Sequence, residues 1–475
     1  MNNSLSTSLT ENMQTFDALF TDCNDIMKRT MKLGGNAEID ACIYYVEVTV
    51  NNLTVEESVI GKLISRLMSK TPQEIYEYLD ANALGITDVK LLPTYEEAIM
   101  GVMVGDGVLL IDGYDKAVKI KSKGYPMMGV SSSEREQVMR GSREGFADAL
   151  KCNTSLMRKR MRTQNLKVKE FIIGKESNTT VAIVYMEELV RKKVLKEITR
   201  RIEGLDITNL TDTGIIEQLT EENSNSPFPQ YQTTERPDTA IQAIMKGRIT
   251  LFVDNTPVAL LLPTNFNDFF KTPDDYYERY AIVTLARIIR YLAAFFSLCL
   301  PAVYLAVMNY HPDILPANML FAFAAGRASV PFPSVIEILI MELAFELLRE
   351  AGIRIPGPMG STIGIVGGLI IGQAAVSAGI VSPVIVVVVA FTALSSFAVP
   401  NDEFSSAFRI LKYFLIALSY LLGFFGIVLG LMLIGIHLAS LRSFGLPFLM
   451  PIAAGDINKQ RNYKDMLLRF PLKKL

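Results

Sequence analysis

The pattern of hydrophobic and polar positions changes partway along the chain. Up to about Asp275, apolar residues are interspersed with Lys, Arg, Glu and Asp, as in a protein that folds in water. From Tyr291 onward, long runs carry almost no charge, for example 291-YLAAFFSLCLPAVYLAVMN-309. About 20 consecutive apolar residues are enough to cross a bilayer core as a helix. The pattern therefore predicts a water-soluble first part and a second part built of transmembrane helices.

The second part divides into several hydrophobic stretches. They cover residues 284–309, 314–325, 334–350, 359–381, 383–400 and 410–437. Residues 314–325 are too few to span and form a candidate re-entrant segment. Counting one crossing for each other stretch places the C terminus outside, whereas the basic tail favours the cytoplasm. Either one stretch is re-entrant or 410–437 is not a single crossing, and both alternatives stay open.

The stretch over residues 334–350 carries acidic side chains. Its intramembrane acidic candidates are Glu337, Glu342 and Glu346. A carboxylate at the centre of a lipid-facing helix costs about 2.5–3.5 kcal/mol, so this helix is not expected to face lipid. It either lines a pore vestibule or lies at the interface, with the glutamates near its end paired to Arg349 and Arg354.

The stretch over residues 359–381 has two different faces at helical spacing. One face presents hydroxyls and an amide along an apolar stripe, and its residues are the pore-lining candidates Thr362, Val366, Ile370, Gln373 and Ser377. The opposite face is made of small residues suited to close helix packing, namely Gly360, Gly364, Gly367, Ala374, Ala375 and Ala378. The polar face suits an aqueous path with a hydrophobic constriction, or else its polar groups simply bond neighbouring helices.

Two stretches of the water-soluble part share the same order of predicted elements. In each, an apolar strand with alternating faces precedes helical segments and a hairpin whose turn contains an aspartate, Asp112 or Asp254. Asp-Gly and Asp-Asn suit such turns because they tolerate positive φ. We therefore expect two related α/β subdomains over residues 35–125 and 170–265, each ordered as strand, helix, helix and hairpin.

These patterns together predict a duplicated cytoplasmic α/β domain followed by a multi-span transmembrane helical domain. The predicted divisions are 1–150 and 151–275 for the two α/β subdomains, 276–451 for the transmembrane domain and 452–475 for a basic tail. The start of the chain lacks the basic and apolar regions of a cleavable signal peptide. We therefore expect the N-terminal domain to remain in the cytoplasm.

Basic residues are predicted to lie at surfaces. Arg287 and Arg290, at the start of the first hydrophobic stretch, can extend to the membrane interface. The basic segment 158–170 could bind lipid headgroups or nucleic acid, but its acidic neighbours favour a solvated helix face and linker. The formal net charge of −2 gives no reason to expect a nucleic-acid partner.

The sequence offers little for catalysis, metals or cofactors. Its four cysteines are far apart and form no CxxC pair, and its two histidines, His311 and His437, are isolated. It lacks GxxxxGK[ST], HExxH and GxSxG motifs. Asp112 and Asp254 could form a carboxylate pair, yet each lies at a turn where aspartate is expected anyway. We expect no enzyme activity, no metal and no cofactor.

Several motifs together resemble the A subunit of spore-germination receptors, the GerA family. They are 234-TERPD-238, 273-PDDYYER-279, 331-PFPS-334, 348-LREAGIRIP-356, 372-GQAAVSAGIVS-382 and 437-HLASLRSFGLPFL-449. The resemblance covers nearly the whole chain and is strongest from about Ser226 to Pro451. It implies a place in the spore inner membrane of an endospore-forming bacterium.

The resemblance also implies partners and an activity. Family A subunits act with a transporter-like B subunit, which is thought to hold the nutrient, and with a lipoprotein C subunit. The A subunit is thought to form a ring-shaped homo-oligomer, a pentamer, that releases monovalent cations when it opens. Two other functions stay open: a non-conducting membrane scaffold for signalling, and a secondary transporter. A transporter would need an inverted repeat in the membrane part, and we find none.

Overall fold

The structure is a computed structural model, and it describes residues 4–34, 39–50, 67, 70–80, 89–124, 133, 136–354, 368, 370–452 and 466–470. The chain forms two compact units. The α/β unit comprises Met1–Ser224 and Tyr231–Pro263, and the helical unit comprises Asn225–Gln230 and Thr264–Leu475. An α/β part followed by a helical part agrees with the sequence-based expectation, whereas the four predicted divisions stay a prediction.

The first half of the α/β unit contains an antiparallel five-stranded sheet in the order β1-β2-β4-β5-β3. Its elements are α1 Leu9–Leu19, β1 Ile26–Leu33, β2 Ile39–Val46, a 3-10 turn Glu47–Thr49, α2 Pro72–Asp80, β3 Val89–Leu92, α3 Tyr95–Met103, β4 Gly107–Ile111 and β5 Ala117–Ile120. Strands β2 and β4 lie in the middle of the sheet, which is why nearly all their residues are buried and apolar.

The second half repeats this strand order, as β6-β7-β9-β10-β8, again with antiparallel pairing. Its elements are α4 Leu150–Arg160, β6 Leu166–Ile173, β7 Thr179–Met186, α5 Lys192–Glu203, α6 Thr213–Thr220, β8 Gln232–Thr234, α7 Pro237–Met245, β9 Ile249–Val253 and β10 Ala259–Leu262. The predicted hairpins are β4-β5 and β9-β10. The edge strands β1, β3, β6 and β8 and the helices α1 and α4 were missing from the sequence-based order.

The two hairpin aspartates have matching structural roles. The Asp112 carboxylate accepts a hydrogen bond of 2.9 Å from the Leu9 N–H, and the Asp254 carboxylate accepts one of 2.9 Å from the Leu150 N–H. Each aspartate therefore caps the first helix of its own half, where a carboxylate satisfies an unpaired N–H and favours the helix dipole. The two carboxylates belong to different sheets and do not form the pair that the sequence allowed.

A buried ion pair joins the two halves of the α/β unit. The Arg158 guanidinium donates to both carboxylate oxygens of Asp25, at 2.7 and 2.8 Å, and both side chains are 0% exposed. Beside this pair, the Asn24 N–H donates to the Val168 carbonyl at 2.9 Å, and the Val168 N–H donates to the Asp22 carbonyl at 3.1 Å. The edge strand β6 is thus extended by main chain from the first half.

The basic segment 158–170 is therefore not a solvated face and linker throughout, and that prediction is wrong for two of its residues. Arg158 is fully buried, and the Lys167 side chain is 4% exposed and donates to the Leu19 carbonyl at 2.8 Å. Charges that looked like a surface patch in sequence instead hold two halves of one unit together.

The helical unit contains the elements α8 Asp274–Tyr277, α9 Tyr280–Tyr310, α10 Ala317–Arg327, α11 Ser334–Arg354, α12 Pro383–Phe397, α13 Asp402–Ser440, β11 Arg442–Ser443 and β12 Leu446–Pro447, with 3-10 turns at Phe266–Phe270 and Pro312–Ile314. Residues 370–377 are also helical. Of the described helices, α9 and α13 are long and apolar enough to cross a membrane by length and composition, and α12 is apolar but shorter.

Helix α13 reverses direction at Gly423, where the backbone is not helical (φ 62°, ψ −140°). The Phe228 ring lies 5.8 Å from the Phe404 ring and 6.2 Å from the His437 ring. In one straight helix, Phe404 and His437 would be about 50 Å apart. Residues 402–422 and 424–440 therefore form a helical hairpin, with arms of about 32 and 26 Å. The stretch 410–437 therefore contains a reversal, which agrees with the alternative that this stretch is not a single crossing.

Tyr310, the last residue of α9, stabilises this reversal. Its hydroxyl donates to the carbonyls of Tyr420 at 2.6 Å and Leu421 at 3.1 Å. The break at Gly423 releases carbonyls from their helical partners, and an unpaired carbonyl in apolar surroundings costs free energy. The tyrosine hydroxyl supplies the missing donor.

We expect Arg158→Met to destabilise the α/β unit by about 3–5 kcal/mol, because it leaves the Asp25 carboxylate buried without its partner. Denaturant unfolding of the full chain, followed by tyrosine fluorescence, measures the loss. The control is Lys175→Met, which breaks an ion pair with Asp206 whose side chains are 68% and 76% exposed. It should cost less than about 1 kcal/mol. Equal effects of the two variants would contradict a structural role for the buried pair.

We expect Gly423→Ala to destabilise the helical unit by roughly 1–3 kcal/mol, because alanine resists positive φ. A Cβ at this position would also lie 3.0 Å from the Tyr310 ring. The matched control is Gly435→Ala in the second arm, where an added Cβ meets nothing within 4 Å. Thermal unfolding of the detergent-solubilised chain should show a lower midpoint for the first variant and an unchanged or higher one for the control.

Candidate membrane site

Two ion pairs connect α11 to the first arm of α13, and we call them the charge ladder. Glu342 pairs with Lys412, and Glu346 pairs with Arg409 at 2.9 Å. The two glutamates are one helical turn apart on α11, and their two partners are one turn apart on α13. The later glutamate, Glu346, pairs with the earlier basic residue, Arg409. The two helices therefore run antiparallel at this contact.

Burial differs between the two pairs of the charge ladder. The side chains of Glu342 and Lys412 are 1% and 5% exposed, whereas those of Glu346 and Arg409 are 23% and 26% exposed. Removing one partner of a buried pair leaves an uncompensated charge, which is far more costly than losing an exposed pair. The Glu342–Lys412 pair is therefore the one that most strongly fixes α11 against α13.

Glu337 belongs to a separate contact. It is 0% exposed, its carboxylate accepts a hydrogen bond of 2.8 Å from the Ser382 N–H, and the Arg327 guanidinium lies 3.3 Å away. Ser382 immediately precedes α12, so this carboxylate satisfies a main-chain donor at the helix start. Glu337 thus ties α10, α11 and the start of α12 together.

The glutamates of α11 have different partners from those that the sequence suggested. Glu346 pairs across to Arg409 and not with Arg349 on its own helix, while Glu350 does pair with Arg354 at 2.6 Å. Helical periodicity gave the face of α11 on which each charge lies, but not the helix that would cover that face. The pore-vestibule role of these glutamates stays a prediction.

The predicted pore-lining face is described only in part. Thr362 and Val366 lie outside the described residues. Ile370 is 60% exposed, and Gln373 and Ser377 are exposed on the same short helix. Within one copy of the chain, the described half of this face is therefore uncovered, and its amide and hydroxyl lie beside apolar side chains.

The small-residue face is also described in part. Gly360, Gly364 and Gly367 lie outside the described residues. Ala375 is half-buried against the apolar cluster of α9, α11 and α12, whereas Ala374 and Ala378 are exposed.

The sequence pattern missed Gly372, which is buried, and an added Cβ there would lie 3.2 Å from Val386 of α12. Because glycine has no side chain, Gly372 allows its helix to pack closely against α12.

A further buried ion pair lies at the start of α9. Arg287 is 0% exposed, and its Nε donates to Asp275 at 2.8 Å, while Arg290 donates to the other carboxylate oxygen at 2.9 Å. The Arg287 side chain is thus enclosed with its carboxylate and not exposed to solvent, and its depth in a membrane stays a prediction. Asp275 lies within the 273-PDDYYER-279 motif, which the sequence marked without indicating its partner.

No metal-binding group of three or more His, Cys, Asp or Glu side chains is present in the part of the chain that the structure describes. Among the residues that the sequence proposed as membrane site residues, the described polar ones are carboxylates paired with Arg or Lys, plus the exposed Gln373 and Ser377. This arrangement can fix helices and present neutral polar groups.

Comparisons with known proteins agree on one family. A family model described as Bacillus/Clostridium GerA spore germination protein matches residues 14–475. The chain is 37% identical to spore germination protein KA of Bacillus subtilis (strain 168), over 98% of this chain and 85% of that protein. It is 37% identical to the uncharacterized membrane protein YfkQ of the same strain, over 98% and 90%. It is 36% identical to spore germination protein GerLA of Bacillus cereus, over 94% and 90%.

A solved structure was also matched. The crystal structure of the N-terminal domain of the A subunit of the Bacillus megaterium spore germinant receptor GerK3 is 27% identical, with a TM-score of 0.44. The match covers 55% of this chain and 97% of that one.

We expect Glu342→Leu and Lys412→Met each to destabilise the helical unit by about 3–5 kcal/mol, because each leaves one buried charge unpaired. The double variant Glu342→Leu/Lys412→Met should recover most of that loss. Thermal unfolding of the solubilised full chain measures all three. Glu350→Gln, which breaks an exposed pair on the same helix, is the control and should have little effect. Additive losses in the double variant would contradict the pairing.

Proposed function

Because the chain belongs to the GerA family of spore germination proteins, we propose that it is the A subunit of a nutrient germinant receptor. In this proposal the chain forms an oligomeric cation channel that opens when a partner subunit senses nutrient. The family membership supports the germination role. The conducting role is the further step, and it depends on the residues of the helical unit.

The observation that carries the conducting role is the exposed polar face of the helix at residues 370–377. Gln373 and Ser377 are exposed there, next to the 60% exposed Ile370. An amide facing lipid would have no hydrogen-bond partner, which is costly in hydrocarbon. The face is therefore better suited to water or to another copy of the chain. A ring of such faces would enclose a polar path with apolar side chains that can gate it by dewetting.

We also propose a homo-oligomer, a pentamer, in the spore inner membrane, with a transporter-like B subunit and a lipoprotein C subunit as partners. The family supports these assignments. The shared strand order of the two sheets and their matching aspartate caps support an internal duplication of the cytoplasmic α/β part. In the membrane, the helical hairpin at Gly423 returns the chain to the side from which α13 starts. The basic tail then lies in the cytoplasm, as its charge favours.

A non-conducting signalling scaffold is the rival proposal, and the charge ladder favours it in one respect. Its carboxylates are paired within the chain and hold helices in fixed positions, as a scaffold requires. A secondary transporter fits less well, because no inverted repeat was found in the sequence.

The test changes the charge of the proposed lining. The full chain and its B and C partners, reconstituted in liposomes, should pass K⁺ when nutrient is added. Gln373→Glu should raise the preference for K⁺ over Cl⁻ several-fold, and Gln373→Lys should reverse that change, because rings of charge select ions of opposite sign. Ser440→Ala, which removes an exposed hydroxyl at the end of α13, is the control.

If wild type conducts and both Gln373 variants keep its selectivity, the lining assignment is contradicted. If wild-type complexes support germination in spores but pass no ions in liposomes, the scaffold is favoured.

A further inference from the structure

The Ser443 hydroxyl bonds to the main chain next to two of the points at which the chain passes from one unit to the other. The chain enters the helical unit for residues 225–230, returns to the α/β unit for 231–263 and enters the helical unit again at 264. The Ser443 hydroxyl donates to the Gln230 carbonyl at 2.9 Å and accepts from the Thr264 N–H at 3.1 Å. Ser443 is 1% exposed, so neither main-chain group can readily exchange it for water.

The segment 225–230, which we call the strap, is anchored by its side chains. Phe228 is 1% exposed, and its ring lies 5.8 Å from that of Phe404 and 5.9 Å from that of Phe408. The Ser226 hydroxyl lies 2.9 Å from Nε2 of His437, in the last turn of α13. The strap is thus packed on both arms of the α13 hairpin, and its position follows theirs.

The second passage is anchored to the same region. The Phe266 N–H donates to the Phe448 carbonyl at 2.8 Å, and the Asn267 amide donates to the Met450 carbonyl at 3.3 Å. Residues 264–267 therefore lie alongside the segment after α13, and this is the segment that contains Ser443. The residues that flank 231–263 in the chain, Gln230 on one side and Thr264 on the other, are therefore both held by the segment that follows α13.

We propose that Ser443 is a positioning residue of the germination response, which keeps the two passages in register with the second arm of α13. Movement of α13 then displaces both ends of residues 231–263 together, and not one end alone. The proposal rests on the germination role of the chain and does not require that the chain conduct ions.

The variants separate the bridging hydroxyl from general packing. Ser443→Ala removes both hydrogen bonds, Ser443→Thr keeps the hydroxyl, and Phe228→Leu weakens the anchor of the strap through a different contact. The matched control is Ser440→Ala, which lies three residues earlier and whose exposed hydroxyl bonds only within α13, to the His437 carbonyl at 2.7 Å.

The functional readout is germination of spores that carry each full-length variant with its B and C partners, normalised to the amount of protein in the membrane. Ser443→Ala and Phe228→Leu should slow the response to nutrient by about tenfold per molecule, as expected for losing contacts of this kind. Ser443→Thr and Ser440→Ala should respond like wild type. A response that is unchanged in Ser443→Ala, or that falls only in proportion to the protein level, overturns the proposal.

A second readout needs neither nutrient nor ion flux. Hydrogen exchange of the purified full chain should become at least several-fold faster in Ser443→Ala at β8–β10 and at residues 424–440 together, and not in Ser440→Ala. Faster exchange confined to residues 441–447 would overturn the proposal. If wild-type spores fail to respond while the exchange result holds, the proposed function fails and the coupling stands.

Discussion

The fold of the helical unit depends on one constraint, which is that a charge enclosed among apolar side chains must be paired within the chain. Three carboxylates meet this condition, and two of them, Glu337 and Glu342, join elements that are distant in sequence. Asp275 holds the start of α9 through Arg287, Glu337 joins α11 to Arg327 and to the start of α12, and Glu342 joins α11 to α13 through Lys412. An apolar contact would tolerate some sliding of one helix past another, whereas a buried pair has one register in which both charges are compensated. The paired charges therefore set the positions of helices whose surfaces are otherwise nearly uniform.

The same constraint explains how the two halves of the α/β unit are joined. Each sheet packs against its own apolar cluster. Arg158 and Asp25 are each buried only because the other is present, and the main-chain bonds around Val168 continue the contact as an added piece of strand. From the sequence, the segment 158–170 looked like a linker, because residues that its buried charges contact lie more than a hundred positions away in the chain.

Hydrophobic periodicity and the residue types at turns were sufficient to predict local structure from the sequence. The strands β2 and β7 and the positive φ at Gly113 and Asn255 followed from residue types alone, whereas the predicted alternation of faces is wrong, because nearly every residue of both strands is buried. The edge strand β1 did not, because its outward residues are Lys and Arg and only one of its eight residues is fully buried. The reversal at Gly423 was hidden because the arms on both sides of it are equally apolar. The partner of each glutamate on α11 was also out of reach, since periodicity assigns a residue to a face and cannot say which helix will cover that face.

The pairing of the glutamates bears on which residues could line an ion path through this protein. Glu337, Glu342 and Glu346 each form an ion pair with an Arg or Lys of the same chain, so they add little net negative charge to any surface that an oligomer would enclose. The exposed polar groups of the described helix at 370–377 are neutral, an amide and a hydroxyl, and Ile370 lies among them. A proposed path with such a lining would discriminate weakly by charge and would be closed mainly by apolar side chains, which exclude water when they approach one another. Opening it would then require helices to move apart, and the buried ion pairs determine which helices must move together.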